Sequence, residues 1–109
     1  MLNDLKMMLG IDAHDTELDA KLNLIISLTT ARLKRLLGGV DDIPEDMNYI
    51  ILEIAIIRFN RIGSEGMASH TVEGESYSFA DADFEKYANE IQEFLYSQKS
   101  DTKGGVRFL

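Results

Sequence analysis

The stretch from Tyr49 to Phe59 reads YIILEIAIIRF, and it decides more about this chain than any other part. Its apolar residues recur at helical spacing, yet they cover most of the circumference and not one stripe. A helix of that kind sits at the centre of a fold, surrounded by other elements. It begins at Pro44 with Glu45 and Asp46 behind it. Proline suits the first helical turn, and acids there complement the helix dipole. The sequence therefore predicts a central helix from about Glu45 to Ile62, ending at Gly63.

The neighbours of that helix are also helical. Leu2 to Leu9 predicts a short first helix with Leu2, Leu5, Met8 and Leu9 on one side, closed by Gly10. Asp15 or Thr16 can cap the next helix. Its apolar stripe runs Leu18, Leu22, Ile25, Ile26, Thr29, Leu33, Leu36, Leu37 and stops at Gly38-Gly39. Asp81 or Asp83 can cap a last long helix, about Ala82 to Ser97, with a stripe of Phe84, Tyr87, Ala88, Ile91, Phe94 and Leu95. Its other face carries Asp83, Glu85, Glu90 and Glu93. At 109 residues the chain forms one domain. The expected fold is all-α: a small bundle of three to four helices, with a long irregular or hairpin-like loop before the last helix and a flexible C-terminal tail. The helical domain spans residues 1–97, its long loop 63–80, and the tail 98–109.

That loop is unusual. Connections beyond about 12–15 residues are uncommon in a compact domain and tend to be functional or disordered. GSEGMASHTVEGESYSFA is neither Gly/Ser filler nor a charge block, since Met67, Val72, Tyr77 and Phe79 punctuate it. Thr71-Val72 and Ser76 to Phe79 flank Glu73-Gly74-Glu75 in a weak hairpin pattern that needs a surface to lie on. The tail is a second oddity. A linker-like run through Gly104-Gly105 ends in Val106-Arg107-Phe108-Leu109. It either adds as a strand to a partner's sheet edge or folds back on its own helices.

Catalytic chemistry is hard to find. There is no cysteine, which excludes disulfides and thiol nucleophiles. His14 and His70 lie in different segments without metal-ligand spacing, and are expected as surface or capping residues. Asp41, Asp42, Glu45 and Asp46 lack the alternation and glycine of a calcium loop, and helix capping accounts for them. The glycines match no phosphate-binding motif, and Ser64, Ser69, Ser76 and Ser78 have no nucleophile elbow around them. No catalytic, cofactor-binding or metal residue is assigned. No apolar run approaches the roughly 18–20 residues that cross a bilayer, and the N-terminus lacks the pattern of a secretory signal. The net charge of −8 opposes free binding to nucleic acid. Lys34-Arg35 and Arg58-Arg61 are expected either as solvated helix ends or as contacts to an acidic face of a neighbouring copy. A helix-turn-helix reader is excluded, because YIILEIAII cannot face a DNA groove.

The order of elements carries a resemblance. A capped helix ends in LLG, a second ends in RFNRIG, then come SEGMASHTVEGESYSF and an acidic helix. Asn60 to Gly66 and Glu73 to Phe79 are its most specific parts, and Val106-Arg107-Phe108 is similar to the tail ends seen in the same group. The chain resembles, over essentially its full length, the head–tail connector (head-completion adaptor) family of long-tailed bacteriophages and prophages, of the small all-helical type. The resemblance implies a ring of about twelve copies, built from heterologous contacts, beneath the portal protein. Such a ring extends the DNA channel, helps retain the packaged genome and offers a docking surface to the stopper or tail-completion protein. It also implies no catalytic residues, a virion location after assembly in the host bacterial cytoplasm, and loops that rearrange on assembly.

A ring needs two adhesive surfaces per subunit. Ser64, Glu65, Met67, Val72, Tyr77 and Phe79 are candidates for an assembly loop, and Val106, Arg107 and Phe108 for a partner-binding tail. Glu85, Glu90 and Glu93, or the loop acids Glu73 and Glu75 together with Glu65, are candidates to line the channel. Acids there let double-stranded DNA pass without specific binding. The competing reading is a small acidic regulator, or nucleic-acid mimic, acting on a basic host protein.

Overall fold

The structure is a computed structural model, and it describes residues 1–63 and 80–107. All regular structure among them is helical. α1 spans Leu2–Leu9, α2 Asp19–Leu36, α3 Asn48–Gly63 and α4 Ala88–Arg107. Single-turn 3₁₀ geometry at Glu45–Met47 leads into α3, and a longer 3₁₀ segment at Asp81–Tyr87 leads into α4. The expected all-α bundle is therefore what forms. The 3₁₀ lead-ins replace the α-helical starts that the sequence predicts near Glu45 and Ala82.

α1 and α2 both close in the same way. The N–H of Gly10 donates to Met7 O at 3.2 Å, and that of Ile11 to Lys6 O at 2.8 Å. Gly38 and Gly39 repeat the pair, donating to Arg35 O at 3.0 Å and Lys34 O at 2.8 Å. This paired closure satisfies carbonyls that the helix leaves without partners. It needs a left-handed residue, and Gly10 (φ 75°) and Gly38 (φ 94°) supply it.

The N-terminal caps differ from expectation. Leu18 precedes α2 without a side-chain cap, and Asp15 accepts the Glu17 N–H at 3.0 Å within the preceding turn. Ala80, not Asp81 or Asp83, precedes the last helical segment. Both aspartates have other partners, described below. α4 also continues as helix through Gly104-Gly105 to Arg107, past the expected end at Ser97.

The core follows the predicted stripes. Leu22, Ile25, Thr29, Leu33 and Leu37 are buried on α2 and its C-terminal residue, and Ile50, Ile51, Ile54 and Ala55 on α3. One apolar cluster joins Leu33, Leu37, Met47, Ile50, Ile51 and Ile54 to Phe84, Tyr87 and Ile91. A second joins Leu5 of α1 to Leu22, Ile25 and Ala55. α3 takes part in both, as a central helix must. Two predicted stripe members fall outside: Met8 and Ala88 are exposed. Lys6 is buried as well. Its ammonium pairs with Asp19 at 2.8 Å and donates to Ala13 O at 3.2 Å, tying α1 to the start of α2.

Candidate functional site: an arginine clasp at the root of the 64–79 segment

The residues 51, 54, 55 and 58 share one face of α3, so Arg58 occupies a core register in an otherwise apolar helix. A guanidinium there must find an anion and further acceptors, because an unpaired buried charge is very costly. The chain supplies them from the far side of the long connection. Arg58 is 2% exposed. Its Nε donates to Asp83 Oδ2 at 3.0 Å, one Nη to Ala80 O at 3.1 Å, and the other Nη to Thr29 Oγ1 at 3.3 Å. Its guanidinium carbon lies 5.5 Å from the centre of the Phe84 ring.

Arg61, one turn on, donates to both oxygens of Asp83, at 2.8 Å and 3.2 Å. Arg32 of α2 holds the neighbouring acid, Asp81, through a two-pronged contact with Nε to Oδ1 at 2.8 Å. Three arginines from α2 and α3 thus grip Ala80, Asp81 and Asp83. Gly63 ends α3 directly after this cluster, and Ala80 is where the described chain resumes. Both ends of the 64–79 segment are consequently rooted in one polar knot. Burial pushes the Asp83 carboxyl up. The hydrogen bonds and charges of Arg61 and Arg58 outweigh it, and the net pKa is below the ordinary value.

A second set of contacts fixes the start of α4. Tyr87 donates to Glu53 of α3, Tyr49 donates to Glu90 at 2.9 Å, and the two rings meet edge to face with centroids 6.0 Å apart. Burial and then the Glu53 hydrogen bond raise the Tyr87 pKa. For Tyr49 the Glu90 hydrogen bond is the leading cause of a rise.

These placements correct two expectations. Arg58 and Arg61 are not a solvated helix end awaiting another copy, since both bind Asp83 within the chain. Asp83 does not belong to the outer acidic face of the last helix; it is the centre of the clasp. Of the other acids predicted there, Glu85 and Glu93 are exposed, and Glu90 is half-buried against Tyr49. Ser64, Glu65, Met67, Val72, Glu73, Glu75, Tyr77 and Phe79 lie outside the described residues, as do His70 and Phe108. Val106 and Arg107 end the backbone of α4. His14 is exposed, its backbone N–H donating to Asp12. Among the described residues no cluster of potential ligands could hold a metal ion, and no helix is long and apolar enough to cross a membrane.

The four helices and the arginine clasp between α2, α3 and residues 80–83 define a small all-helical domain. A family model described as phage gp6-like head-tail connector protein matches residues 1–94. The chain belongs to that family, which is structural, and its members are components of the phage particle. No curated protein and no solved structure matched the chain.

Proposed function

We propose that this protein assembles as a ring of about twelve copies under the portal of a long-tailed phage. The ring extends the DNA channel, helps retain the packaged genome and gives the stopper or tail-completion protein a surface to dock on. The observation that carries the reading is the family match over residues 1–94. The clasp is consistent with it. A rigid body that anchors both ends of a 64–79 insert can present that insert to a neighbour and offset its ordering cost on assembly.

In this reading Ser64, Glu65, Met67, Val72, Tyr77 and Phe79 grip the adjacent subunit or the portal. Val106, Arg107 and Phe108 engage a further partner. Glu73, Glu75, Glu85, Glu90 and Glu93 are the acids available to the channel wall, and a net charge of −8 per copy keeps passing DNA from sticking. The test is to mix the purified protein with purified portal rings and image the product by electron microscopy. A stoichiometric second tier on the portal is the expected result. A soluble one-to-one complex with a basic host protein, and none with portal, would overturn it in favour of an acidic regulator.

A further inference from the structure

α2 carries a second stripe, turned away from the core. Lys21, Leu24, Leu28, Ala31 and Arg35 step by 3, 4, 3 and 4, and all five are exposed. Leu24 and Leu28 are 56% and 44% exposed. Leu28, Ala31, Arg32 and Arg35 line a shallow open depression. Two cations, Lys21 and Arg35, lie on the stripe itself, and Arg32 beside it is held by Asp81. α2 holds Lys21, Arg32, Lys34 and Arg35 against Asp19 as its lone acid.

α3 has the opposite character on its own outward side. Asp46, Tyr49, Glu53 and Ile57 step by 3, 4 and 4, and all four are exposed. Glu45 is exposed next to Asp46, and Asp41 and Asp42 are exposed in the linker before them. Tyr49 and Ile57 give this stripe its apolar element, and the Glu90 hydrogen bond holds the Tyr49 ring in place. One molecule therefore displays a basic apolar stripe and an acidic apolar stripe of similar length, on two different helices.

We infer that the α2 stripe of one copy docks on the α3 stripe of the next. The occupant is a second copy of this chain, because the charge that each stripe lacks is present on the other and both carry exposed apolar side chains. The contact joins two different surfaces, so it repeats in one direction, and closure of the repeat gives a ring. The inference deepens the ring reading above and rests on it for its biological setting. The shared strip, limited by the stretch from Asp46 to Ile57, is about 17 Å long and about 10 Å wide, smaller than the ~800 Å² per partner of a durable interface. The pairing accordingly forms at high local concentration, as when copies are arrayed on a template, and it weakens with salt.

The chain contains no cysteine, which makes the test clean. Leu28→Cys and Ile57→Cys are made in separate proteins and oxidised at high concentration, alone and mixed. The mixed sample is expected to give a disulfide dimer at least tenfold faster than either alone, and the Leu28→Cys/Ile57→Cys double variant a ladder of higher oligomers. Adding Lys21→Glu and Arg35→Glu to the Leu28→Cys protein should abolish the gain. Adding Glu45→Lys and Asp46→Lys to its Ile57→Cys partner should restore it. Equal rates in the mixed and unmixed samples, or no effect of charge reversal, would overturn the pairing. Tail joining by phage heads carrying the unoxidised variants is scored separately. Normal joining without the mixed cross-link sinks this surface assignment alone, whereas absence of the protein from heads sinks the connector reading itself.

Discussion

Replacing Asp83 by alanine attacks the clasp at its centre. The substitution removes the carboxylate that receives Arg58 Nε at 3.0 Å and both Arg61 Nη groups. Arg58, 2% exposed, then loses its Asp83 carboxylate and keeps neutral contacts such as the Ala80 carbonyl and the Thr29 hydroxyl. Breaking a buried ion pair by deleting one partner costs about 3–5 kcal/mol, mostly from the charge left behind. A domain of this size has about 5–15 kcal/mol in all, and each kcal/mol is worth roughly 4 °C in Tm. The variant should melt about 12–20 °C below the wild type in a circular-dichroism scan at pH 7. The pH dependence has a definite sign. Asp83 has a depressed pKa in the folded protein, so its contribution is complete above the unfolded carboxylate value of about 3.9 and is lost as pH falls through the folded value. The gap between wild type and variant should be widest above about pH 5 and close in acid. A double change, Arg58→Met with Asp83→Leu, removes both charges and should recover most of the loss. A drop of less than about 4 °C for Asp83→Ala, or a gap that widens in acid, would refute the reasoning.

Substitutions at two further positions test a helix closure and a buried hydroxyl. Gly38→Ala forces a side chain onto a left-handed residue, which costs about 1–2 kcal/mol, so Tm should fall by roughly 4–8 °C. The added Cβ lies 3.5 Å from Leu95 Cδ2, an ordinary contact, so Gly38→Asn, which tolerates that backbone, should lose less. Tyr87→Phe removes the hydroxyl that donates to Glu53 and should cost about 1 kcal/mol by urea titration at pH 7. The raised Tyr87 pKa places this contribution below about pH 10, with loss at higher pH, so the difference should vanish in alkali, and the latest-ionising component of the tyrosine absorbance titration should disappear in the variant.

Apolar periodicity made the body of the fold legible. YIILEIAIIRF identified the central helix, and the stripes through Leu22, Ile25, Leu33 and Leu37 and through Phe84, Tyr87 and Ile91 identified what packs on it, because burial of apolar surface obeys the helical period directly. Caps were less legible. Asp15, Thr16, Asp81 and Asp83 all have capping chemistry, and local sequence does not say when a long-range cation claims the carboxylate first. Arg32, Arg58 and Arg61 do so for Asp81 and Asp83. The signal for the clasp was nevertheless present in Arg58, a charged residue at a core register of α3. A basic residue near a helix end is usually solvated, so the residue type alone does not reveal its partner. Lys6 is similar, its partner Asp19 lying in a different helix. The outward stripes on α2 and α3 are visible in sequence only after the inward ones have been assigned.

In the proposed function the helical body is a mount, and residues 64–79 grip the neighbouring phage proteins. The decisive experiment replaces 64–79 by a short Gly/Ser linker and counts tailed particles from phage that carry only this version. The expected protein still folds cooperatively but fails to join DNA-filled heads to tails. Normal yields of tailed, infectious particles from the same protein would contradict it.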